Sequence, residues 1–276
     1  MSQKPSISFE FFPAKTPEAQ KSLLETVNTL TAHNPAFMTV TFGAGGSTRE
    51  GTLDTLRAVR AMTDVPLACH LTFISITRTE LKAYLDTLWD MNVRHIVALR
   101  GDMPADLQWP LDPDLDYYQY TSDFIEGIKA HKPFEISVGA YPEKHPDAPD
   151  MAADLLALKK KCAAGADRAI TQFFFDHDHY ARFLDAVGKA GIKTPIVPGV
   201  LPIQNYKSLL NFAGRCGATI PAAIRDKFEN APESDHAKIA QNIFARQIED
   251  LTLLGAKHLH IYTLNKTEPT HSILRP

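Results

Sequence analysis

Ile7-Ser8-Phe9-Glu10-Phe11-Phe12, then residues 17–32, then Phe37-Met38-Thr39-Val40-Thr41-Phe42, is the stretch that decides the fold. Its two outer runs are rich in Phe, Val, Ile and Thr, the residues that favour strands. Between them Leu23, Leu24, Val27 and Leu30 recur at helical spacing. The same alternation continues along the chain. Further strand-like runs cover residues 67–73, 95–100, 135–141, 169–175, 195–201 and 259–264, and most close on Gly, Pro or a polar residue. Helical stretches fill the intervals. Residues 80–91 carry Leu81, Tyr84, Leu85 and Leu88, and residues 151–164 carry Leu155, Leu156 and Leu158. Periodicity alone leaves an open doubly wound sheet possible. Eight strand–helix units of roughly 30 residues each favour an α/β chain folded as a (β/α)8 TIM barrel.

A single domain spanning residues 1–276 is expected, with a helical insertion before the last strand. The interval from 201 to 259 is long enough for a seventh helix at 206–215, an inserted helix after Ile220-Pro221, and a long eighth helix reaching about residue 254. Residues 103–116, rich in Pro and Asp, read as a loop after the fourth strand. Residues 266–276 read as a short tail at the barrel mouth.

Composition excludes several functions. The hydrophobic fraction of 44% can fill a sizeable core, and the net charge of −3 comes from interspersed acids and bases. No basic run or stripe points to nucleic acid. Cys69, Cys162 and Cys216 are far apart and form no CxxC pair, so neither a disulfide framework nor a metal site is expected. Isolated thiols fit a reducing compartment. The first strand begins without a charged-then-apolar leader, and no apolar stretch approaches the roughly 18 residues that span a bilayer. A soluble cytoplasmic protein is therefore expected, with no membrane partner.

In a barrel of this kind the site gathers at the C-terminal ends of the strands. The polar residues that interrupt or end the apolar runs are Glu10, Thr41, His70, Asp102, Tyr141, Gln172 and Asn265. They come from seven different runs, and all are expected to face the mouth. Each taken alone is equally consistent with a strand-end cap or a solvated side chain. Glu10 stands out because Phe9, Phe11 and Phe12 flank it. A carboxyl held among rings has its pKa raised and keeps a proton near neutral pH. The plain alternative is a strand-end Glu pointing into water. There is no GxGxxG and no Walker motif; Gly43-Ala44-Gly45-Gly46-Ser47 has the wrong spacing for a dinucleotide fold.

Five segments, in order, carry a resemblance. They are Ser8-Phe9-Glu10-Phe11-Phe12-Pro13, Arg94-His95-Ile96-Val97-Ala98-Leu99-Arg100-Gly101-Asp102, Ala140-Tyr141-Pro142-Glu143-Lys144-His145-Pro146, Arg168-Ala169-Ile170-Thr171-Gln172-Phe173-Phe174-Phe175-Asp176 and Tyr262-Thr263-Leu264-Asn265. From about residue 6 onward the chain resembles the 5,10-methylenetetrahydrofolate reductases, bacterial type, catalytic domain. These flavoenzymes make 5-methyltetrahydrofolate, the methyl donor for methionine synthesis.

The resemblance implies a noncovalent FAD on barrel loops. Thr41, Phe42, Ala44 and His70 would lie near the flavin ring, with Arg100, Gly101 and Asp102 along the ring and ribityl chain. Tyr120, Thr121 and Ser122 would open the fourth helix beside it. Tyr141, His145 and Ala148 would follow strand five, and Asp154 and Lys161 would lie two turns apart on the fifth helix. Arg100, His145 and Lys161 would meet the diphosphate and ribose. Glu10 is implied as the general acid for the folate and Asp102 as the carboxylate that binds the pterin, held ionised near Arg100. Gln172 would serve the pterin edge and Phe212 would stack on both substrates, with Lys266 also at the folate. The reductant is NADH or NADPH. The absence of a clustered 2′-phosphate pocket favours NADH, and sharing of the flavin face implies ping-pong kinetics. A homo-oligomer is expected. Eukaryotic relatives carry a regulatory C-terminal domain that is not seen here, so inhibition by S-adenosylmethionine is not expected. Phe42 stands where some relatives have Tyr, Ala14 where they have a second proline, and Lys266 where Arg also occurs. These changes affect fine contacts only.

Two other readings fit parts of the sequence. A flavin barrel that oxidises an amino acid would need clustered Arg for the substrate carboxylate, and the strand ends offer chiefly Arg100. A catalytically silent folate- or flavin-binding subunit would be expected to lack the acid, yet Glu10 and Asp102 are both present.

Overall fold

The computed structural model describes residues 4–42, 48–102 and 110–275. The strands are β1 (Ser6–Phe11), β2 (Phe37–Val40), β3 (Leu67–Thr72), β4 (His95–Leu99), β5 (Glu135–Ala140), β6 (Arg168–Thr171), β7 (Ile196–Val197), β8 (Gly199–Val200) and β9 (His258–Tyr262). The helices are α1 (Pro17–Thr31), α2 (Arg49–Arg60), α3 (Arg78–Asp90), α4 (Thr121–His131), α5 (Met151–Ala163), α6 (His177–Lys189), α7 (Tyr206–Cys216), α8 (Ala222–Glu229), α9 (His236–Leu253) and α10 (Thr270–Leu274).

All pairings are parallel, in the order β7-β6-β5-β4-β3-β2-β1-β9-β8. The seventh expected strand is two short ones. Pro198 separates them and has no N–H to give a ladder. β7 pairs with β6 and β8 with β9, so this broken strand closes the sheet into the expected (β/α)8 barrel. The Pro198 carbonyl still accepts from His260 N–H at 3.0 Å.

Capping chemistry starts the helices where strands end. Thr16 Oγ1 accepts from Ala19 N–H and Pro17 opens α1. Thr77 and Glu80 form a reciprocal capping box on α3. Asp150 caps α5, and Asn205 caps α7, which ends on left-handed Gly217. The inserted helix and the long helix before the last strand appear as α8 and α9.

Strand alternation sorts the core into two sides. Ile7, Phe9 and Phe11 face outward against helix residues such as Leu23, Val27 and Leu30 in the main core. Inside the barrel a smaller apolar group, Phe37, Ala68, Val97, Ile170 and Val197, shares space with buried Ser8, His95, Ser137 and His260. The interior is thus unusually polar along β1 and β9.

The tail is not at the mouth. Thr26 Oγ1 donates to the Asn265 carbonyl at 3.4 Å, Thr267 Oγ1 meets Thr26 Oγ1 at 3.3 Å, and His271 reaches His33, beyond the end of α1, at 2.9 Å. The chain after β9 therefore descends along α1, in the place an eighth outer helix occupies.

The closing seam tolerates no side chain at Gly199. A Cβ there would lie 2.1 Å from the Thr171 carbonyl oxygen and 2.6 Å from the Tyr262 ring. Gly199→Ala is expected to cost about 1–3 kcal/mol in chemical denaturation. Gly188→Ala, in α6 with open space around it, is expected to gain about 0.5–1 kcal/mol. Equal stabilities for the two variants would contradict a tightly packed seam.

Candidate active site

β1 delivers Glu10 to the inside of the barrel near its C-terminal end. Its neighbours are imidazoles from two other strands. His70 Nε2 lies 3.3 Å from Glu10 Oε2 and His260 Nε2 lies 3.5 Å from the same oxygen. His70 Nε2 also meets Thr39 Oγ1 at 3.2 Å. Phe9 and Phe11, adjacent in sequence, point to the opposite face, and Phe12 is 40% exposed. The expected ring environment is therefore not what surrounds the carboxyl. Burial alone raises its pKa, but attraction to His70 and hydrogen bonding with His260 and His70 prevail and bring it from 4.5 to about 2. Glu10 is an ionised carboxylate at rest, contrary to the expectation of a raised value.

A mouth cavity of about 340 Å³ opens above this group. Glu10, Thr41, Phe42, His70, Asp102, Tyr141, Gln172 and Phe212 all line it, so residues from scattered positions do converge. Thr41 Oγ1 and Thr72 Oγ1 are buried hydroxyls without a protein partner among the described residues. Gly101 has a φ of +94°, and a Cβ there would lie 2.8 Å from Thr72. That close approach keeps the floor of the cavity open. Gln172 Oε1 accepts from the Phe173 N–H at 3.0 Å, which leaves its NH2 as a donor at the mouth. Phe212, partly buried on α7, stacks on Phe173 with centroids 5.2 Å apart. It is both a core residue and a wall of the cavity.

A second groove of about 440 Å³ adjoins the first, and Leu99, Gly139 and Tyr141 line both. Arg100, Tyr120, Thr121, Ser122, His145, Ala148, Asp154 and Lys161 line the groove. The first turn of α4 ends there, with its unpaired N–H groups. Lys161 Nζ donates to the Gly139 carbonyl at 2.5 Å, and burial lowers its pKa. Asp154 accepts from His145 N–H at 3.0 Å. His145 Nδ1 accepts from the Asp147 N–H at 3.0 Å, so the other ring nitrogen carries the proton in the neutral imidazole. Burial, then the Arg100 charge, lower the pKa of this imidazole.

Arg100, two positions before Asp102 in the chain, forms its ion pair with Asp147, at 2.5 Å across the groove. Two expectations need correction. Asn265 does not face the mouth: its side chain accepts from Phe12 N–H at 3.0 Å and donates to the Phe12 carbonyl at 2.8 Å, clipping the end of β9 to β1. Lys266 is exposed and lines neither cavity. Ala44 lies outside the described residues. Sequence reasoning missed His260, Tyr262 and Thr72. His260 and Tyr262 alternate along β9 and thus share one face; that spacing was the available signal. Among the described residues no group of three or more His, Cys, Asp or Glu is placed to hold a metal ion, and no helix is long and apolar enough to cross a membrane.

Because the Glu10 pKa is depressed, its stabilising contribution is present above pH 4.5 and is lost as pH falls toward 2. The stability gap between wild type and Glu10→Gln is expected to narrow steadily below about pH 4.5 in urea titrations. A gap that widened on acidification would mean a carboxyl protonated at rest.

Comparison with known proteins gives a consistent result. The family described as methylenetetrahydrofolate reductase matches residues 1–276. The chain is 39% identical over 270 residues to the 5,10-methylenetetrahydrofolate reductase of Escherichia coli (strain K12), covering 97% of this chain and 89% of that one. It is 36% identical over 280 residues to a probable methylenetetrahydrofolate reductase (NADH) of Oryza sativa subsp. japonica, covering 97% of this chain and 47% of that protein. Among solved structures, an uncharacterized Clostridium thermocellum protein that binds two copies of 5-methyl-5,6,7,8-tetrahydrofolic acid superposes with a TM-score of 0.66. It is 14% identical, over 99% of this chain and 93% of that one, which is a likeness of fold.

Proposed function

The chain belongs to the methylenetetrahydrofolate reductase family, and we propose that it reduces 5,10-methylenetetrahydrofolate to 5-methyltetrahydrofolate with noncovalent FAD as cofactor and NADH, or NADPH, as reductant. Its product would supply methyl groups for methionine synthesis. The observation that supports this most is the pair of joined cavities: a mouth with two carboxylates, and a groove with cations and a helix N-terminus beside it.

The residues present fit a flavin dinucleotide. The two unpartnered threonine hydroxyls and the Gly101 approach suit a flat, heteroatom-edged ring. Thr41, Phe42, His70, Gly101 and Asp102 would hold it at the mouth. The diphosphate and nucleoside would lie along Tyr120, Thr121, Ser122, Tyr141, His145, Ala148, Asp154 and Lys161, with Arg100 in the same groove. Cations and N–H groups at a helix start favour phosphate. Bound there, FAD supplies a hydride relay from nicotinamide to folate.

The chain's own part is protonic and orienting. Opening the five-membered ring of the folate needs a proton on its 10-nitrogen, and Glu10 is the acid. Ionised at rest, it must first receive a proton, and His70 and His260 are within reach. A folate covering the mouth removes water from the carboxylate and raises its affinity for that proton. Asp102 accepts from the pterin amino group and ring N–H, and its charge favours a cationic folate intermediate. The Gln172 amide donates to the remaining edge. Phe212, backed by Phe173, offers one aromatic face for either substrate.

Glu10→Gln is expected to keep FAD and to be reduced by NADH at a normal rate, while folate reduction falls by about 10²–10⁴-fold. Stopped-flow bleaching by NADH and recolouring by methylenetetrahydrofolate measure the two halves; normal recolouring would remove Glu10 as the acid. A shared pocket gives parallel double-reciprocal lines, and Phe212→Ala should raise KM for both substrates. Intersecting lines would mean separate sites.

A further inference from the structure

The parallel register of β1 and β9 sets Ser6 beside His258, Ser8 beside His260 and Glu10 beside Tyr262. All six side chains are at alternate positions and share the barrel's inner face. Four of them join end to end. Ser6 Oγ, at the exposed N-terminal end of β1, lies 2.6 Å from His258 Nδ1. His258 Nε2 lies 2.8 Å from Ser8 Oγ. Ser8 Oγ lies 2.7 Å from His260 Nδ1. His260 Nε2, buried and with no closer partner, faces Glu10 Oε2 at 3.5 Å. His258 is bridged through both of its nitrogens, whereas His260 is hydrogen-bonded through Nδ1 and has only Glu10 before its Nε2. Phe37 covers the row, stacked on His258 at 5.4 Å and on His260 at 5.9 Å.

We propose that this row is a proton wire that reloads Glu10 from the floor of the barrel, opposite the mouth where the ligands bind. It rests on the reading of Glu10 as the acid. One proton is consumed for each folate reduced, and bound ligands cover the mouth side of the carboxyl. From Ser6 to Glu10 the strand rises about 13 Å, so the floor is the alternative route.

The step balances. The loaded wire has the Ser6 hydroxyl turned from the Lys257 carbonyl, which it meets at 3.2 Å, to donate to His258 Nδ1, with His258 Nε2–H donating to Ser8, the Ser8 hydroxyl to His260 Nδ1, and His260 Nε2–H directed at the Glu10 carboxylate 3.5 Å away. Each hydrogen then moves one place toward Glu10. His260 Nε2 gives its proton to the carboxylate, and each group behind it is refilled from the next. Ser6 takes one proton from water at the floor. The net result is one proton in and one carboxylic acid made. The serines and imidazoles end neutral, with every hydrogen bond reversed, and rotate back before the next turnover. No charge is stored on the way. Burial, then His260 and the nearby Arg168 charge, hold the His258 pKa at about 4, which suits a relay better than a resident imidazolium.

The test uses FAD-loaded Ser8→Ala and His258→Phe, with both half-reactions followed by stopped flow in H2O and D2O. Reduction by NADH should stay within twofold of wild type. Folate reduction should fall at least tenfold, with a changed solvent isotope effect, though His258 touches neither cavity. Wild-type rates and isotope effects in both variants would overturn the wire while leaving Glu10 as the acid. Normal folate reduction by Glu10→Gln would instead remove the acid, and the wire with it. Should Ser8→Ala not fold, 15N NMR of the wild-type imidazoles decides. The wire requires His258 and His260 to be the same neutral tautomer, with the proton on Nε2. Opposed tautomers would leave Ser8 between two donors or two acceptors and break the chain.

Discussion

The register of β1 on β9 is the constraint on which the rest depends. Both strands are parallel, so side chains at equal steps stand side by side. That places hydroxyls against imidazoles below and Glu10 against Tyr262 above. A one-residue slip would turn Glu10 outward into the helices and bring Phe9 or Phe11 inside. The Asn265 clip to the Phe12 backbone holds this register at its upper end, and the Ser6 N–H bond to the Lys257 carbonyl at 3.0 Å holds the lower. The electrostatics of the mouth follow from it. Glu10 is anionic because two imidazoles face it, not because of what precedes or follows it in the chain.

The groove rests on different physics. Its walls come from the ends of β4 and β5, the start of α4 and the length of α5, and strand ends and helix starts leave backbone groups unpaired. Lys161 satisfies one carbonyl of β5, and Asp154 satisfies one N–H of the following loop. The side chains that shape the groove thereby also hold the strand ends that frame it. Substituting either would disturb the loop as well as any ligand, so binding and local order are coupled here.

The barrel was legible because its strands are short Val-, Ile-, Phe- and Thr-rich runs separated by amphipathic helices, a local signal. Pro198 shows where locality fails: residues 195–201 read as one strand, and only its two neighbours reveal two half-strands. Glu10 is the sharper case. Its flanking rings are adjacent in sequence but lie on the opposite face, so the pKa direction read from them was wrong. His70 and His260, both distant in the chain, lower it instead. Asn265 ends a strand-like run and so suggests a mouth residue, but its left-handed φ of +55° turns the chain and its amide meets the Phe12 backbone. The groove residues came from resemblance and not from spacing; Arg100 lines the groove and pairs with Asp147.

The β1–β9 pairing also fixes when the protein can become itself. Ser8 and His260 are 252 positions apart, so β1 must wait for β9. On a ribosome Ser6–Phe11 emerges with one edge vacant and its carboxyl among no imidazoles. β1 can pair with β2 early, since only α1 intervenes. The vacant edge is a place where a growing chain recruits wrong neighbours, which makes it a natural point for chaperone protection. Ring closure and the placing of His260 beside the acid thus arrive in a single late event.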